Sequence, residues 1–317
     1  MSILTVTLNP ALDVSTTVPH VESGTKLRCE TPRFDPGGGG INVSRAIAKM
    51  GSTSQPFIAI GGATGEMLKD LLRAENIEPV CFDIGKPTRE SLSVYEESSG
   101  KQFRFVLPGP EWTELLAETM LAAFSETLVS NARRIDYVVA SGSLPPGLPD
   151  DFYGEIAKLA ARHGARIVLD TSGAALEVAA NSSDIPPYLW IMDQTEAEQT
   201  GGQAIGGIDD LEGLATQLRK RGLASIIVAT LAEGGAVAVS EEQTIRLKPP
   251  KVDVLSKVGA GDSFVAGLVL KLAKGAPLRE ACAYAVAAAA SAVTTPATEL
   301  CSGAQTDRYF DLVLSEN

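Results

Sequence analysis

Val258-Gly259-Ala260-Gly261-Asp262 opens directly into Ser263-Phe264-Val265-Ala266-Gly267-Leu268-Val269-Leu270-Lys271-Leu272, an apolar helix pattern. Small residues at a helix start leave backbone N–H groups unpaired, and these and the helix dipole favour an anion. A carboxylate at the end of such a cradle would repel phosphate if holding phosphate were the whole task. It has a purpose if Asp262 takes a proton from a hydroxyl while the amides of Gly259, Ala260 and Gly261 hold the phosphoryl group that the hydroxyl attacks. That is the layout of a phosphotransferase for a small alcohol. A tight turn at Gly259 and Gly261, with Asp262 merely charging the first helical turn, accounts for the same five residues.

Pro36-Gly37-Gly38-Gly39-Gly40-Ile41-Asn42 is a second glycine cluster that enters a helix. Four glycines let a ligand approach the backbone with no Cβ in the way, and Asn42 offers a donor and an acceptor. Neither a Gly-Lys-Ser/Thr ending nor Rossmann spacing is present, which excludes those phosphate loops. Ser141-Gly142-Ser143-Leu144-Pro145-Pro146-Gly147 follows an apolar run, Asp136–Ala140, where open α/β sheets place ligands. Its hydroxyls suit a phosphate or sugar oxygen; Pro-Pro-Gly equally marks a plain sharp loop. Lys26, Arg28 and Arg89 are the cations beside two extended segments, as phosphate ligands or as solvated surface charges.

These groups need a scaffold. Strand-like runs at Leu4–Leu8, Pro56–Ile60, Asp136–Ala140, Arg166–Asp170, Leu189–Met192 and Ser225–Thr230 alternate with helical periods. The helical segments Ile41–Met50, Asp151–His163, Leu211–Arg221 and Asp262–Lys274 stop at Gly51, Gly164, Gly222 and Gly275. This alternation predicts an α/β fold with a mostly parallel central sheet flanked by helices on both faces. Two stretches, about 14–34 and 88–107, break the rhythm. The second reads as a hairpin about Ser98-Ser99-Gly100, so a small β-sheet lid is expected. With no repeat or linker, residues 1–317 are expected to form a single domain.

The chain has 317 residues, 44% hydrophobic and 21% charged, with net charge −12. That charge argues against a nucleic-acid or anionic-membrane partner, so an anionic substrate must be met by local cations. The N-terminus lacks a basic region followed by a long apolar run, and Ala283–Val293 is too short to span a bilayer. Four scattered cysteines, Cys29, Cys81, Cys282 and Cys301, read as reduced thiols of a cytoplasmic protein. With only His20 and His163 present, a histidine zinc site or a Ser-His relay is not expected.

Asp13, Gly-Gly-Gly-Gly-Ile-Asn, Gly61-Gly62-Ala63-Thr64-Gly65-Glu66, Ser-Gly-Ser-Leu-Pro-Pro-Gly and Gly-Ala-Gly-Asp occur in this order in one chain. The set strongly resembles the ribokinase-like, PfkB-type carbohydrate kinases. Lys26-Leu27-Arg28-Cys29, Thr88-Arg89 and Phe103-Arg104-Phe105-Val106-Leu107-Pro108-Gly109 are similar to the minor-type 6-phosphofructokinase branch, and the resemblance covers nearly the whole chain. It implies a ribokinase-like fold and transfer of the ATP γ-phosphoryl to the C1 hydroxyl of fructose 6-phosphate. Asp262 is then the base and the Gly259–Gly261 amides the anion hole. Asp13, Gly38, Gly39 and Asn42 hold sugar hydroxyls, while Lys26, Arg89 and Ser143 meet the 6-phosphate. Arg28 reaches a neighbouring subunit, since such kinases pair as homodimers through the lid. The nucleotide is implied against Asp193, Thr230, Ala232, Gly235, Val258, Gly259 and Gly261, with Mg²⁺ at Glu196 and Asp193.

The nucleotide side departs from the family pattern. Asp193 stands for an Asn, Ile191 and Thr195 for lysines, Ala232 for a glycine, and Thr295-Pro296-Ala297-Thr298 for Asn-x-Gly. Two alternatives remain open from sequence. One is a kinase for tagatose 6-phosphate or fructose 1-phosphate; the other is a catalytically weakened sugar-phosphate-binding regulator.

Overall fold

The computed structural model describes residues 2–131, 134–171, 186–296 and 299–316. Ala297 and Thr298, singled out above, lie outside the described residues. The chain begins with β1 (Ser2–Thr7), β2 (Ala11–Val18), β3 (Arg33–Gly37), α1 (Gly39–Lys49), β4 (Gln55–Ile60), α2 (Gly62–Ala74) and β5 (Val80–Asp83). Next come β6 (Arg89–Glu96), β7 (Lys101–Val106), α3 (Glu114–Ser130), β8 (Ile135–Ser141), α4 (Phe152–Arg162), β9 (Arg166–Asp170) and β10 (Leu189–Met192). The described remainder is α5 (Gln194–Gly201), α6 (Ile208–Lys220), β11 (Ile226–Thr230), β12 (Ala236–Val239), β13 (Thr244–Leu247), α7 (Ala260–Ala273), α8 (Leu278–Val293) and α9 (Gly303–Glu316).

A nine-stranded sheet runs β13-β12-β11-β10-β9-β8-β1-β4-β5. Its pairings are parallel from β11 to β5, and antiparallel only where β12 and β13 return after a short turn. Successive residues of a strand feed opposite layers, which is why these strands read as unbroken apolar runs. Leu4, Val6, Val138, Ala140, Trp190 and Met192 pack with Met120 and Phe124 of α3, Tyr153 of α4 and Leu214 of α6. Ile3, Tyr137, Val139, Leu189 and Ile191 pack instead with Ile47 of α1, Val265 and Val269 of α7 and Ala285 of α8. Helices therefore cover both faces of a mostly parallel sheet. The glycines expected to stop helices, Gly51, Gly164, Gly222 and Gly275, all adopt positive φ.

A second, four-stranded sheet has the order β3-β2-β6-β7. Only its β2–β6 pair is parallel. The register puts Asp13 opposite Ser91 and Ser91 opposite Val106, while Val14 faces Leu92 and Leu92 faces Phe105. The first set shares its face with Ala11, Arg89 and Arg104 and lines a cleft; the second forms an outward apolar face. Leu92 and Phe105 on that outward face are 36% and 54% exposed.

Candidate active site

The cleft, of about 450 Å³, lies where β8 and β9 end at Ser141 and Asp170. Ala11, Asp13, Arg89, Ser91, Arg104 and Val106 of the small sheet form one wall. Gly38, Gly39 and Asn42 of the second glycine cluster, and Lys257, Val258, Gly259 and Asp262 at the start of α7, form the other. Open parallel sheets bind ligands at their carboxyl ends because strand-to-helix turns leave amides and short side chains there.

Local backbone geometry explains the glycines. Gly259 caps α7 in a left-handed conformation, φ 77°, and a Cβ there would come within 2.5 Å of Leu300 Cδ2. Ser263 N–H donates to Gly259 O at 3.0 Å, so the amides of Ala260, Gly261 and Asp262 precede the first helical bond. The Gly259 N–H, at the N-cap, adjoins these three, so the Gly259–Gly261 set expected from sequence sits at the head of the helix beside the Asp262 amide. At the start of α1, a Cβ on Gly39 would collide with Ser141 Oγ and lie 2.9 Å from the Gly142 nitrogen. The bare glycine lets α1 approach the end of β8, which puts Asn42 into the cleft.

Asn42 Nδ2 donates to Asp262 Oδ2 at 3.0 Å. No ion pair to Asp262 occurs among the described residues. Burial, then the charge of Asp170, pushes its carboxyl up to about 7, while the Asn42 hydrogen bond opposes the rise. Asp170 itself accepts from Ser141 Oγ at 2.7 Å and rises to about 6, burial outweighing that bond. Asp13 also reaches about 6 through burial, with Arg89 opposing. Glu196 reaches about 7 through burial, with Asp193 and Asp170 adding repulsion. A cleft that raises four carboxyls in this way favours an added cation and an added proton.

Arg89 is fixed before any ligand arrives. Its Nε and Nη2 donate to Asn9 O at 3.3 and 3.1 Å, and Nη1 donates to Leu107 O at 3.3 Å. Ser143 lies one residue beyond the lining, its Oγ accepting from Asn9 Nδ2 at 3.2 Å. Lys26 and Arg28 are exposed in the loop between β2 and β3, outside the cleft. Asp193 caps α5 reciprocally with Glu196: each carboxylate accepts from the other residue's backbone N–H, at 2.8 and 2.9 Å. Thr230 ends β11, Ala232 turns at φ 36°, and Gly235, at φ 102°, lies against Leu247 O; none lines the cleft. Ile191, where the resemblance expected a lysine, is 4% exposed in the core.

Residues 8–305 match the family described as pfkB family carbohydrate kinase. The chain belongs to this family. Across 312 residues, 97% of each chain, it is 38% identical to the ATP-dependent 6-phosphofructokinase isozyme 2 of Escherichia coli K12. It is 33% identical over 281 residues to the 1-phosphofructokinase of Xanthomonas campestris pv. campestris, covering 88% of this chain and 87% of that one. The crystal structure of phosphofructokinase-2 from Escherichia coli in complex with substrates and products superposes with a TM-score of 0.89 at 36% identity. That match covers 99% of this chain and 100% of the other.

In this pfkB family member, Ser91, Arg104, Asp170, Lys257 and Leu300 line the cleft without having been singled out as site residues from sequence. Asp170 had a usable signal, since it ends a strand at the sheet's ligand-binding edge. Arg104 alternates with Phe103 and Phe105, so its face follows once the register with Ser93 is known. Leu300 has φ 61°, which nothing in its local sequence announces.

Proposed function

We propose that this protein transfers the γ-phosphoryl group of ATP to the C1 hydroxyl of fructose 6-phosphate, giving fructose 1,6-bisphosphate and ADP. The observation that carries the proposal is Asp262: it stands among open amides at the head of α7, in one cleft with the fixed Arg89 and with Arg104. A base beside a hydroxyl, donors for a phosphoryl group and cations for a second phosphate are the parts such a transfer requires.

In this reading Asp262 accepts the proton of the attacking hydroxyl, and the Gly259–Gly261 amides, with that of Asp262, hold charge on the transferring phosphoryl. Asp13, Asn42 and the Gly38–Gly39 backbone orient sugar hydroxyls. Arg89, Arg104, Ser143 and Lys26 take the 6-phosphate, with Lys26 arriving as its loop folds over the sugar. Lys257, two residues before Gly259, supplies a cation toward the donor phosphates, since Ile191 and Thr195 cannot. Val258, Thr230, Ala232 and Gly235 flank the nucleotide.

Glu196 and Asp193 would hold Mg²⁺, whose charge on the donor phosphates eases transfer. Each acid spends one oxygen on the reciprocal cap and keeps the other; burial first, and then repulsion from Asp193 and Asp170, disfavours the Glu196 charge, which a bound cation would offset. No group of three or more acidic, histidine or cysteine side chains forms a metal cage among the described residues. A hard divalent cation at such a site is held by one or two carboxylates together with phosphate oxygens and water.

The outward apolar face of the small sheet supports a homodimer paired through the lid, with Arg28 directed at the partner. The exposed free thiols Cys29 and Cys81 and the use of ATP fit a cytoplasmic enzyme. No described helix is long and apolar enough to cross a membrane.

The test is a panel of sugar phosphates crossed with ATP, GTP and pyrophosphate, with product followed by mass. Turnover of fructose 6-phosphate with ATP and Mg²⁺ is the expected result. Turnover only of tagatose 6-phosphate or fructose 1-phosphate reassigns the acceptor; the 1-phosphofructokinase relative is the reason fructose 1-phosphate is in the panel. Tight sugar-phosphate binding with no turnover makes the protein a regulator.

A further inference from the structure

Arg45 lies in the middle of α1 and is only 3% exposed, although it carries a full charge. Its Nε and Nη2 donate to the Glu75 carboxylate, at 2.8 and 2.6 Å, just past the end of α2. Its Nη1 donates to Pro36 O at 3.3 Å and to Asn42 Oδ1 at 3.4 Å. With the Asn42–Asp262 bond, a continuous chain runs Glu75–Arg45–Asn42–Asp262 from the protein surface to the cleft. An amide has one accepting and one donating end. Turning Asn42 over would set its NH₂ against a guanidinium and its oxygen against a carboxylate, so the cation dictates which end Asp262 meets.

We propose that Arg45 is a positioning residue: it grips Asn42 so that the amide donates to Asp262, and it sets a buried positive charge behind the cleft's carboxylates. The proposal rests on Asp262 being the base assigned above. Asp170 of β9 and Asp13 of β2 raise the Asp262 carboxyl, and Asn42 and Arg45 of α1 lower it. Lys257 faces the same cleft from the segment before α7. Arg45 in turn faces Glu75, and Asp35 of β3 at 3.9 Å, the latter held by Arg33 at 2.9 Å. Glu75 is therefore a counter-charge that tempers what Arg45 does to Asp262.

The experiment is the pH profile of kcat/KM from pH 5 to 9, measured on the acceptor the wild type turns over. A wild type that turns over no acceptor defeats the kinase reading, a failure visible before any variant is made. Arg45→Met should move the acid limb upward, so that activity lost at neutral pH returns in alkali. Glu75→Gln removes the counter-charge, keeps the shape and should move the limb downward. Arg45→Lys keeps the charge but not the fork, so it should leave the limb in place and lower kcat more than it raises KM. The substrate's own ionisation is common to all arms and drops out of the comparison. Opposite movements for the methionine and glutamine variants support the proposal. Unmoved limbs, or movement in one direction, leave Arg45 as a structural ion pair and overturn it. If Arg45→Met does not fold, Glu75→Gln and Arg45→Lys decide alone: a glutamine variant with the wild-type limb sinks the idea.

Discussion

Burial first, and then Asp170, makes Asp262 a weaker acid, with Asn42 and Arg45 pulling the other way, and the balance falls at about 7. A base at that value is half ionised near neutrality, where a proton acceptor combines availability with strength. Replacing it with asparagine keeps the volume and removes the acceptor. Asp262→Asn should lower kcat by about 10²–10⁴, the usual contribution of a placed base, with sugar-phosphate binding nearly intact. Calorimetric binding beside product formation separates the two effects, and near-normal turnover would remove Asp262 from the role. Ala232 poses a different residue question, because its φ of 36° is one that a Cβ resists. Ala232→Gly should relieve that strain and stabilise the fold by about 1 kcal/mol, read from chemical denaturation.

Helix α1 does more than pack: its first turn is pressed onto the end of β8, and Gly39 makes the approach possible. Gly39→Ala should push α1 away from Ser141 and Gly142 and carry Asn42 off Asp262. The expected result is a loss of kcat/KM of at least tenfold with the far-UV spectrum retained. Much of this arrangement was legible in the residues. The strands stood out because both faces of the sheet are covered and their runs are unbroken, and the helix stops stood out through Gly51, Gly164, Gly222 and Gly275. The cleft was half legible. Gly39, Asn42, Gly259 and Asp262 sit where a helix begins, which local sequence marks; Arg104 and Leu300 depend on strand register and a backbone twist, which it does not. Arg45 was invisible for the same reason, since a charged residue inside a helix reads as a surface position until its burial is known. Lys26 and Arg28, expected at the 6-phosphate and at a neighbouring subunit, sit on a loop that this structure leaves outside the cleft.

Stability and assembly bear the marks of the site. Asp13, Asp170, Glu196 and Asp262 all have folded-state values above those of free carboxyls. Between about pH 4 and pH 7 the folded protein therefore binds more protons than the unfolded chain, and this part of its stability falls as pH rises. It is fully present below the unfolded values and gone above the folded ones. The melting temperature of Asp262→Asn should accordingly draw ahead of the wild type as pH climbs through that window; a constant gap would refute the assignment. The apolar outer face of the small sheet makes its own prediction. For the lid-paired dimer proposed above, Phe105→Asp should give a monomer in light scattering, since a charge at a desolvated contact goes unpaired. The small sheet obeys a strict odd–even rule, with Asp13, Arg89, Ser91 and Arg104 on one side and Val14, Leu92 and Phe105 on the other. Inserting a single residue early in β6 would exchange the two sides at a stroke, turning Ser91 and Ser93 outward and Leu92 and Val94 toward the cleft. Two inserted residues would restore the parity, so the strand can change length only in pairs, whereas the turn at Ser98–Gly100 is free to grow by any number.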